Sequence, residues 1–263
     1  MTMQQLGMKH RIAAQTLIEK IVAEYEARPP RSRLARVFGV PPIPTDDWSW
    51  HIGALGERIV SSEIDDLPDG WRRFHSIPIG DSDADIDHVI VGPPGIFVIN
   101  TKHHAGKRIW VAGKTLMVDG RRERHISLSI AEAERLTKIL QARLYGVPEA
   151  QGVIALVNPK RITIKEGPHG VVVVDARKLR SWLTKQPPVM DAATVDRVAS
   201  VLNDPATWRP TPLVDVADLS ARFDALMATL RRAQTVHALW ILILGLTIFG
   251  ACCEFFSHAL QVG

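Results

Sequence analysis

The sequence predicts an α/β (α+β) fold, a sheet covered by helices, followed by one C-terminal transmembrane helix. Three observations carry that expectation. Residues 152–157 and 171–174 are apolar, β-branched runs without alternation, the pattern of strands buried on both faces. Residues 48–64 and 129–145 repeat apolar side chains at helical spacing, so helices are available to pack on that sheet. From Ala238 to Phe256 the chain is apolar apart from Glu254; this run spans roughly 28 Å as a helix, close to a hydrocarbon core of about 30 Å.

Taken in order, residues 5–26 place Ile12, Leu17, Ile21 and Val22 at helical intervals, and an Arg- and Pro-punctuated linker follows over 28–44. Ile52, Leu55, Ile59 and Ile64 make the stripe of the main domain's first helix, which ends near the turn Leu67-Pro68-Asp69-Gly70. A strand is expected over 71–79, then an Asp-rich loop. Residues 85–91 and 96–102 are β-rich runs separated by Gly92-Pro93-Pro94-Gly95, a hairpin with a four-residue loop. Short strands over 108–111 and 115–118 precede the Asp119-Gly120 turn. In the helix over 129–145, Ala133, Leu136, Leu140 and Leu144 share a face, and Glu134 supports Lys138 on another. A shorter amphipathic helix occupies 191–202, and 205–212 reads as a domain edge. The division expected is an N-terminal helix and linker (1–47), the main domain (48–185), a helical extension (186–234) and the transmembrane helix with its tail (235–263).

A helix apolar on every side favours a membrane over a protein interior, because an ordinary surface helix keeps a polar face. Arg231 and Arg232 stand just before the apolar run and no Lys or Arg follows it, so the expected topology is single-pass in the cell membrane with the soluble domain cytoplasmic. Gly245 and Gly250 lack GxxxG spacing, so no dimerisation through this helix is indicated. The residues before the adjacent Cys252 and Cys253 contain no cysteine, which suits a reducing compartment and excludes a cysteine metal site in the soluble part. The N-terminal residues lack the apolar core of a secretory signal. Charge is modestly positive, 32 Lys and Arg against 28 Asp and Glu, compatible with a polyanionic partner. No Walker loop, GxGxxG fingerprint, serine elbow or cysteine nucleophile occurs.

The hairpin is where chemistry is expected. A regular four-residue loop pairs Val91 with Ile96, and counting back sets Asp87 opposite Asn100 and Asp85 opposite Lys102. Asn100 and Lys102 then point the same way, and Asp87 joins them from the neighbouring strand. A carboxylate and an amide carbonyl can hold a hard divalent cation, and a lysine can orient water or stabilise a pentacovalent phosphate. The plain alternative is a diagonal surface ion pair between Asp87 and Lys102.

Gly53-Ala54-Leu55-Gly56-Glu57, Asp85-Ile86-Asp87-His88-Val89-Ile90-Val91, Gly95-Ile96-Phe97-Val98-Ile99-Asn100-Thr101-Lys102 and Gly106 occur in order over roughly 48–174. In this they resemble the blocks of the nuclease-related (NERD) domain. The resemblance implies a restriction-endonuclease-like, PD-(D/E)XK-type fold. It also implies a site of Glu57, Asp87 and Lys102, with the acid expected before the lysine replaced here by Asn100. A membrane-anchored nuclease acting on DNA or RNA with Mg2+ or Mn2+ follows, with Asp87 and Asn100 as metal ligands. The alternative is a catalytically inactive nucleic-acid-binding or interaction module on the same fold. Whether the chain is an enzyme therefore turns on Asn100, with Asp85 as a possible substitute acid.

Three weaker signals accompany these. His88, His103 and His104 lie near the hairpin, but strand alternation puts His88 and His103 opposite Asp87. Lys107, Arg108, Lys114, Arg121, Arg122 and Arg124 surround Trp110, as in a phosphate-binding surface or a solvated rim. Gln141 and Tyr145 resemble the QxxxY element of some nucleases.

Overall fold

The computed structural model describes residues 7–44, 47–80 and 85–262, with side chains placed through Cys253. The start of the first expected helix, part of the Asp-rich loop and the side chain of Glu254 lie outside the described residues. The chain divides into two compact units, Met1–Ile18 with Trp50–Val216, and Glu19–Ser49 with Ala217–Gly263.

The first unit is built on β1 (Arg72–Pro78), β2 (Asp85–Gly92), β3 (Gly95–His103), β4 (Arg108–Ala112), β5 (Thr115–Val118), β6 (Arg121–Glu123), β7 (Gln151–Val157), β8 (Arg161–Glu166) and β9 (Val171–Asp175). They form two mixed sheets, ordered β1-β2-β3-β7-β9 and β6-β5-β4-β8. In the larger sheet β1, β2 and β3 are antiparallel, while β7 and β9 run parallel to β3. Of the two unalternating apolar runs, 152–157 is β7 and is covered on both faces, as is its neighbour β3, whereas 171–174 is β9 at the sheet edge, where Val172 and Val174 are only half-buried. On one face Ile96 and Val98 pack with Ala133, Leu136 and Leu140 of a helix over His125–Gln141. On the other, Phe97 and Ile99 pack with Val60 and Ile64 of a helix over Trp48–Asp65.

In chain order the helices are α1 (Gln15–Glu26), α2 (Arg33–Val37), α3 (Trp48–Asp65), α4 (His125–Gln141), α5 (Leu179–Thr184), α6 (Ala192–Asn203) and α7 (Val216–Val262). Asp191 caps α6 by accepting from Thr194 N at 2.8 Å. Two strands went unread in the sequence, β6 and β8, both at edges of the smaller sheet and largely exposed, where burial imposes no apolar pattern.

Two boundaries differ from expectation for tertiary reasons. The first helix was expected from residue 5, but α1 begins at Gln15, because Ala14 adopts a left-handed φ of 60° and the described chain before it makes only a short 3-10 turn over Met8–His10. The helix expected over 129–145 runs over His125–Gln141, leaving Tyr145 96% exposed beyond it; Gln141 and Tyr145 therefore do not share a helical face.

In the second unit, α7 changes character along its length. Leu219, Phe223, Leu226, Leu230 and Ala233 are buried at alternating spacings of three and four residues, the stripe of an amphipathic helix. Beyond them the helix is apolar all round, and Leu239 to Phe249 are exposed. Among the described residues this is the helix long and apolar enough to cross a membrane, and none of its apolar stretch is buried.

Candidate active site

The hairpin register predicted for the loop end is the one observed, Val91↔Ile96 with pairing continuing to His88↔Ile99. The described pairing stops there. In place of the next ladder bond, the Asp87 carboxylate accepts the backbone N–H of Thr101 at 2.6 Å. On the other side of β2 the pairing with β1 skips the Ser76/Asp87 position, where Ser76 takes a φ of 47°. Asp87 thus sits at a break in both ladders, which frees its carboxylate from the sheet's alternation.

Ser76 is over-determined, as a non-glycine residue in the left-handed region must be. Its carbonyl accepts from Arg11 Nε at 2.6 Å, and its hydroxyl accepts from Gln15 N at 2.9 Å and donates to Ile12 O at 3.1 Å. The segment bound there runs on past two acids. Ala14 N donates to Glu57 Oε2 at 3.0 Å, while Asp85 accepts from Thr16 Oγ1, from Arg11 Nη2 at 3.3 Å and from Arg209 Nη2 at 3.1 Å. Asp85 is therefore held by two guanidiniums and pairs with Pro78, not with Lys102. Glu57 lies off the apolar stripe of α3 yet is only 8% exposed, with Gly56 of the same turn against Thr101 and His103. Glu57, Asp85 and Asp87 line one cavity with Ala14, Thr16 and Ser76.

Asn100 continues the face of Ile96 and Val98, toward α4. Its Nδ2 donates to Glu132 Oε2 at 2.8 Å, and its Oδ1 is buried with no hydrogen-bond donor. The amide orientation follows from chemistry: an ionised carboxylate only accepts, so the NH2 group faces it and the carbonyl faces away. Glu132 was not singled out in the sequence. It lies four residues before Leu136 and eight before Leu140, in line with the buried stripe, and an acid at such a position is the signal that marks it. Lys102 is partly buried and makes no ion pair among the described residues, yet its charge acts on Asp87, Glu57 and Glu132.

Burial pushes Glu57 well above the usual carboxylate range, Asp87 adds to this, and the Ala14 N–H opposes it. Burial likewise raises Asp87, against Lys102 and the Thr101 N–H. It raises Glu132 against the Asn100 amide, and Asp85 against Thr16, Arg11 and Arg209. Three of these carboxylates, Glu57, Asp87 and Glu132, thus share one lysine, while Asp85 has its own two arginines.

Residues 52–160 match the nuclease-related domain (NERD) family. No curated protein and no solved structure matches the chain. The family resembled by the ordered sequence blocks is thus the one whose model matches, and the matched segment holds Glu57, Asp87, Asn100, Lys102 and Glu132. The remaining candidate residues fall elsewhere. His88 is buried with its Nδ1 2.8 Å from Nδ1 of His75, and His103 Nδ1 donates to Ile52 O at 3.2 Å. His104 meets His125, Nε2 to Nε2 at 3.1 Å. Among the described residues, no group of three or more His, Cys, Asp or Glu is placed to hold a metal ion. The basic residues gather on the smaller sheet, where Trp110, Met117 and Arg122 lie side by side across β4, β5 and β6 and Arg108 adjoins Arg161 of β8. Three of the cations there are already paired, Lys107 and Arg108 with Asp119 and Arg121 with Glu123.

Proposed function

We propose that this protein is a membrane-anchored, divalent-metal-dependent nuclease that hydrolyses phosphodiester bonds of DNA or RNA from a PD-(D/E)XK-type site. The observation that carries the reading is the set around the end of β3: an unpaired Lys102, the donor-less buried Oδ1 of Asn100, the Glu132 carboxylate on α4, and the Asp87 carboxylate at the break in the ladder. Asp87 and the Asn100 carbonyl are the ligands offered to Mg2+ or Mn2+. A hard cation that keeps several waters and takes the rest of its shell from substrate phosphates needs no more than one or two protein ligands, so the lack of a three-acid cluster is compatible with this site. When bound, the ion supplies polarisation of the phosphate and a more acidic water.

The chain's own residues do the rest. Lys102, with no competing anion at contact distance, is placed to hold the attacking water or to stabilise charge on the pentacovalent phosphorus. Glu132 fixes the Asn100 amide so that its oxygen faces away from α4, and its buried carboxylate returns the negative charge that Asn100 lacks. Glu57 assists from α3, its raised affinity for a proton fitting a group that gives or takes one. The outer face of the smaller sheet, with Trp110, Arg108 and Arg122, supplies stacking and phosphate contacts for a bound strand. The apolar part of α7 is the anchor, and the Arg231-Arg232 pair sets the soluble part in the cytoplasm.

A second reading, an inactive nucleic-acid-binding module, is favoured by the contacts of residues 11–16, which already occupy Glu57 and Asp85. The full-length chain in detergent and its Lys102→Ala variant, each incubated with labelled single- and double-stranded DNA and RNA in Mg2+, Mn2+ or EDTA, separate the two. The nuclease reading expects metal-dependent cleavage lost in the variant. Retention of nucleic acid at physiological salt by both proteins, with no cleavage by either, would establish the binding module instead.

A further inference from the structure

The second unit carries a feature that a spanning helix does not require. Residues 31–40 form α2 and a turn that seats directly on α7. Trp240 Nε1 donates to Val37 O at 2.7 Å, and its ring meets Phe38 at 5.3 Å. Gly39 makes the approach possible: its φ is 66°, and a Cβ there would stand 2.4 Å from His237 N and 2.5 Å from Ala233 O. No other residue type fits that contact, so the turn is built against α7 at the start of the apolar run.

Against that fixed placement, the exposed side of the segment is apolar. Leu34 is 69% exposed, Val37 54%, Phe38 49% and Val40 50%, which four residues of a solvated ten-residue turn have no reason to be. Beside them lies unbalanced positive charge. Arg31, Arg33, Arg36, Arg231 and Arg232 make no ion pair among the described residues, whereas four of the unit's acids are engaged elsewhere, Glu26 and Asp218 with Arg222 and Glu24 and Asp47 with Arg28. Arg31, Arg36 and Arg232 line a single pocket with Thr229, and Arg31 Nε is buried there with no acceptor. Three guanidiniums around one pocket repel one another unless an anion sits among them.

We propose that residues 31–40 are an in-plane membrane contact. Leu34, Val37, Phe38 and Val40 enter the boundary of the cytoplasmic leaflet, and the Arg31, Arg36 and Arg232 pocket takes the phosphate of an anionic phospholipid. The inference rests on α7 spanning the membrane. Trp240, whose ring meets Phe38 at a tilt of 43°, is a residue type that settles at the headgroup level, and Arg232 precedes it by roughly 12 Å of helix axis, on the water side where headgroups lie. The apolar side chains and the cations therefore meet the layer each requires, the arrangement of an interfacial amphipathic element. Near an anionic surface each arginine strengthens attachment by about fivefold.

The test uses the full-length chain reconstituted in vesicles of phosphatidylcholine alone or with added phosphatidylserine, read by backbone hydrogen exchange over residues 31–40. Exchange is expected to be about tenfold slower or more in the anionic vesicles, since several arginines act together. The triple variant Arg33→Gln, Arg36→Gln, Arg232→Gln should lose that difference while leaving Arg31, whose Nη2 donates to Ala35 O at 3.2 Å and to Val40 O, to hold the turn. Leu34→Ser with Val37→Ser should lose it by the apolar route. Equal exchange in the two vesicle types overturns the proposal, as does equal slowing of the detergent-solubilised chain by inorganic phosphate alone. Flotation of the chain with vesicles after alkaline washing reads the spanning helix separately. Its failure sinks the membrane reading, while flotation without protection at 31–40 sinks only the in-plane contact.

Discussion

Asn100→Asp tests the arrangement of the site most directly, because it restores the acid whose absence put catalysis in question and sets it against Glu132. In the wild type the Asn100 amide donates to Glu132 at 2.8 Å, a bond to a charged group contributing about 1.5–3 kcal/mol. In the variant that donor is gone and two carboxylates share the distance. Both ionised, they would repel by about 6 kcal/mol at an effective dielectric constant of 20, so the folded protein instead retains one proton between them. The unfolded chain does not hold that proton above the ordinary carboxylate range. The folded state then binds one proton more, and the variant loses stability relative to wild type at about 1.4 kcal/mol per pH unit as pH rises. Between pH 5 and pH 8 the extra loss is about 4 kcal/mol, or roughly 2 M in urea midpoint at a slope of about 2 kcal/mol per molar. Urea unfolding of both proteins in EDTA at the two pH values measures it, and the double variant Asn100→Asp, Glu132→Gln should abolish it by reversing donor and acceptor. A stability difference that is the same at pH 5 and pH 8 would refute the contact between position 100 and Glu132. Mg2+ should recover part of the loss in the single variant, since a cation replaces the shared proton.

Three further outcomes are expected. Ala14→Gly relieves the left-handed φ and should stabilise the fold by about 1 kcal/mol, seen as a raised melting temperature; a fall would mean that the methyl group packs more usefully than the strain costs. Ser76→Ala removes the two hydroxyl bonds that hold residues 12 and 15 and should cost about 1–3 kcal/mol, with proteolysis near residues 11–16 accelerated while the sheet stays intact. His75, pushed down to about 4 by burial, makes a contribution fully present above about pH 6.5 and lost as pH falls toward 4, at most about 3 kcal/mol. Acid unfolding of His75→Asn should lack that component, whereas the raised carboxyls, Glu57 first among them, act with the opposite sign and cost stability as pH rises.

Much of the fold was legible because burial writes itself into sequence. β3 and β7 lie between two helical layers and so lost all alternation, and the Gly92-Pro93-Pro94-Gly95 loop fixed the register of Val91 with Ile96. The edge strands β6 and β8 carried no such mark, since an exposed strand selects no face. The site was legible in its identities but less so in its geometry. Strand arithmetic placed Asp87 beside Asn100 on the assumption of an unbroken ladder, and the ladder is broken at that point by a contact from residues 11–16, seventy positions away in the chain. Long-range polar contacts of this kind leave no periodic trace. Glu132 did leave one, an acid in register with Leu136 and Leu140, but a single charged residue beside an apolar stripe becomes informative only when its partner is known.

The acids around β2 and β3 divide by what already holds them. Asp85 has two arginines and a threonine and Glu57 has a backbone N–H, and all but Arg209 come from residues 11–16, which also pin Ser76 beside the break at Asp87. These two serve first to build the site. Asp87 accepts from Thr101, Asn100 keeps a buried carbonyl oxygen with no donor, and Lys102 keeps its charge without a contacting anion. Unmet valence of this kind is costly in a buried place, and it is concentrated where β3 leaves the hairpin, with Glu132 completing the group from α4. If residues 11–16 were only a plug over a spent site, the unmet groups should be the ones beneath them. Apart from Arg209 Nε at Asp85, the unpartnered atoms here, Asn100 Oδ1 and Thr101 Oγ1, lie on the strand beyond Asp87, and it is on these that the proposal of a cation and phosphate site rests.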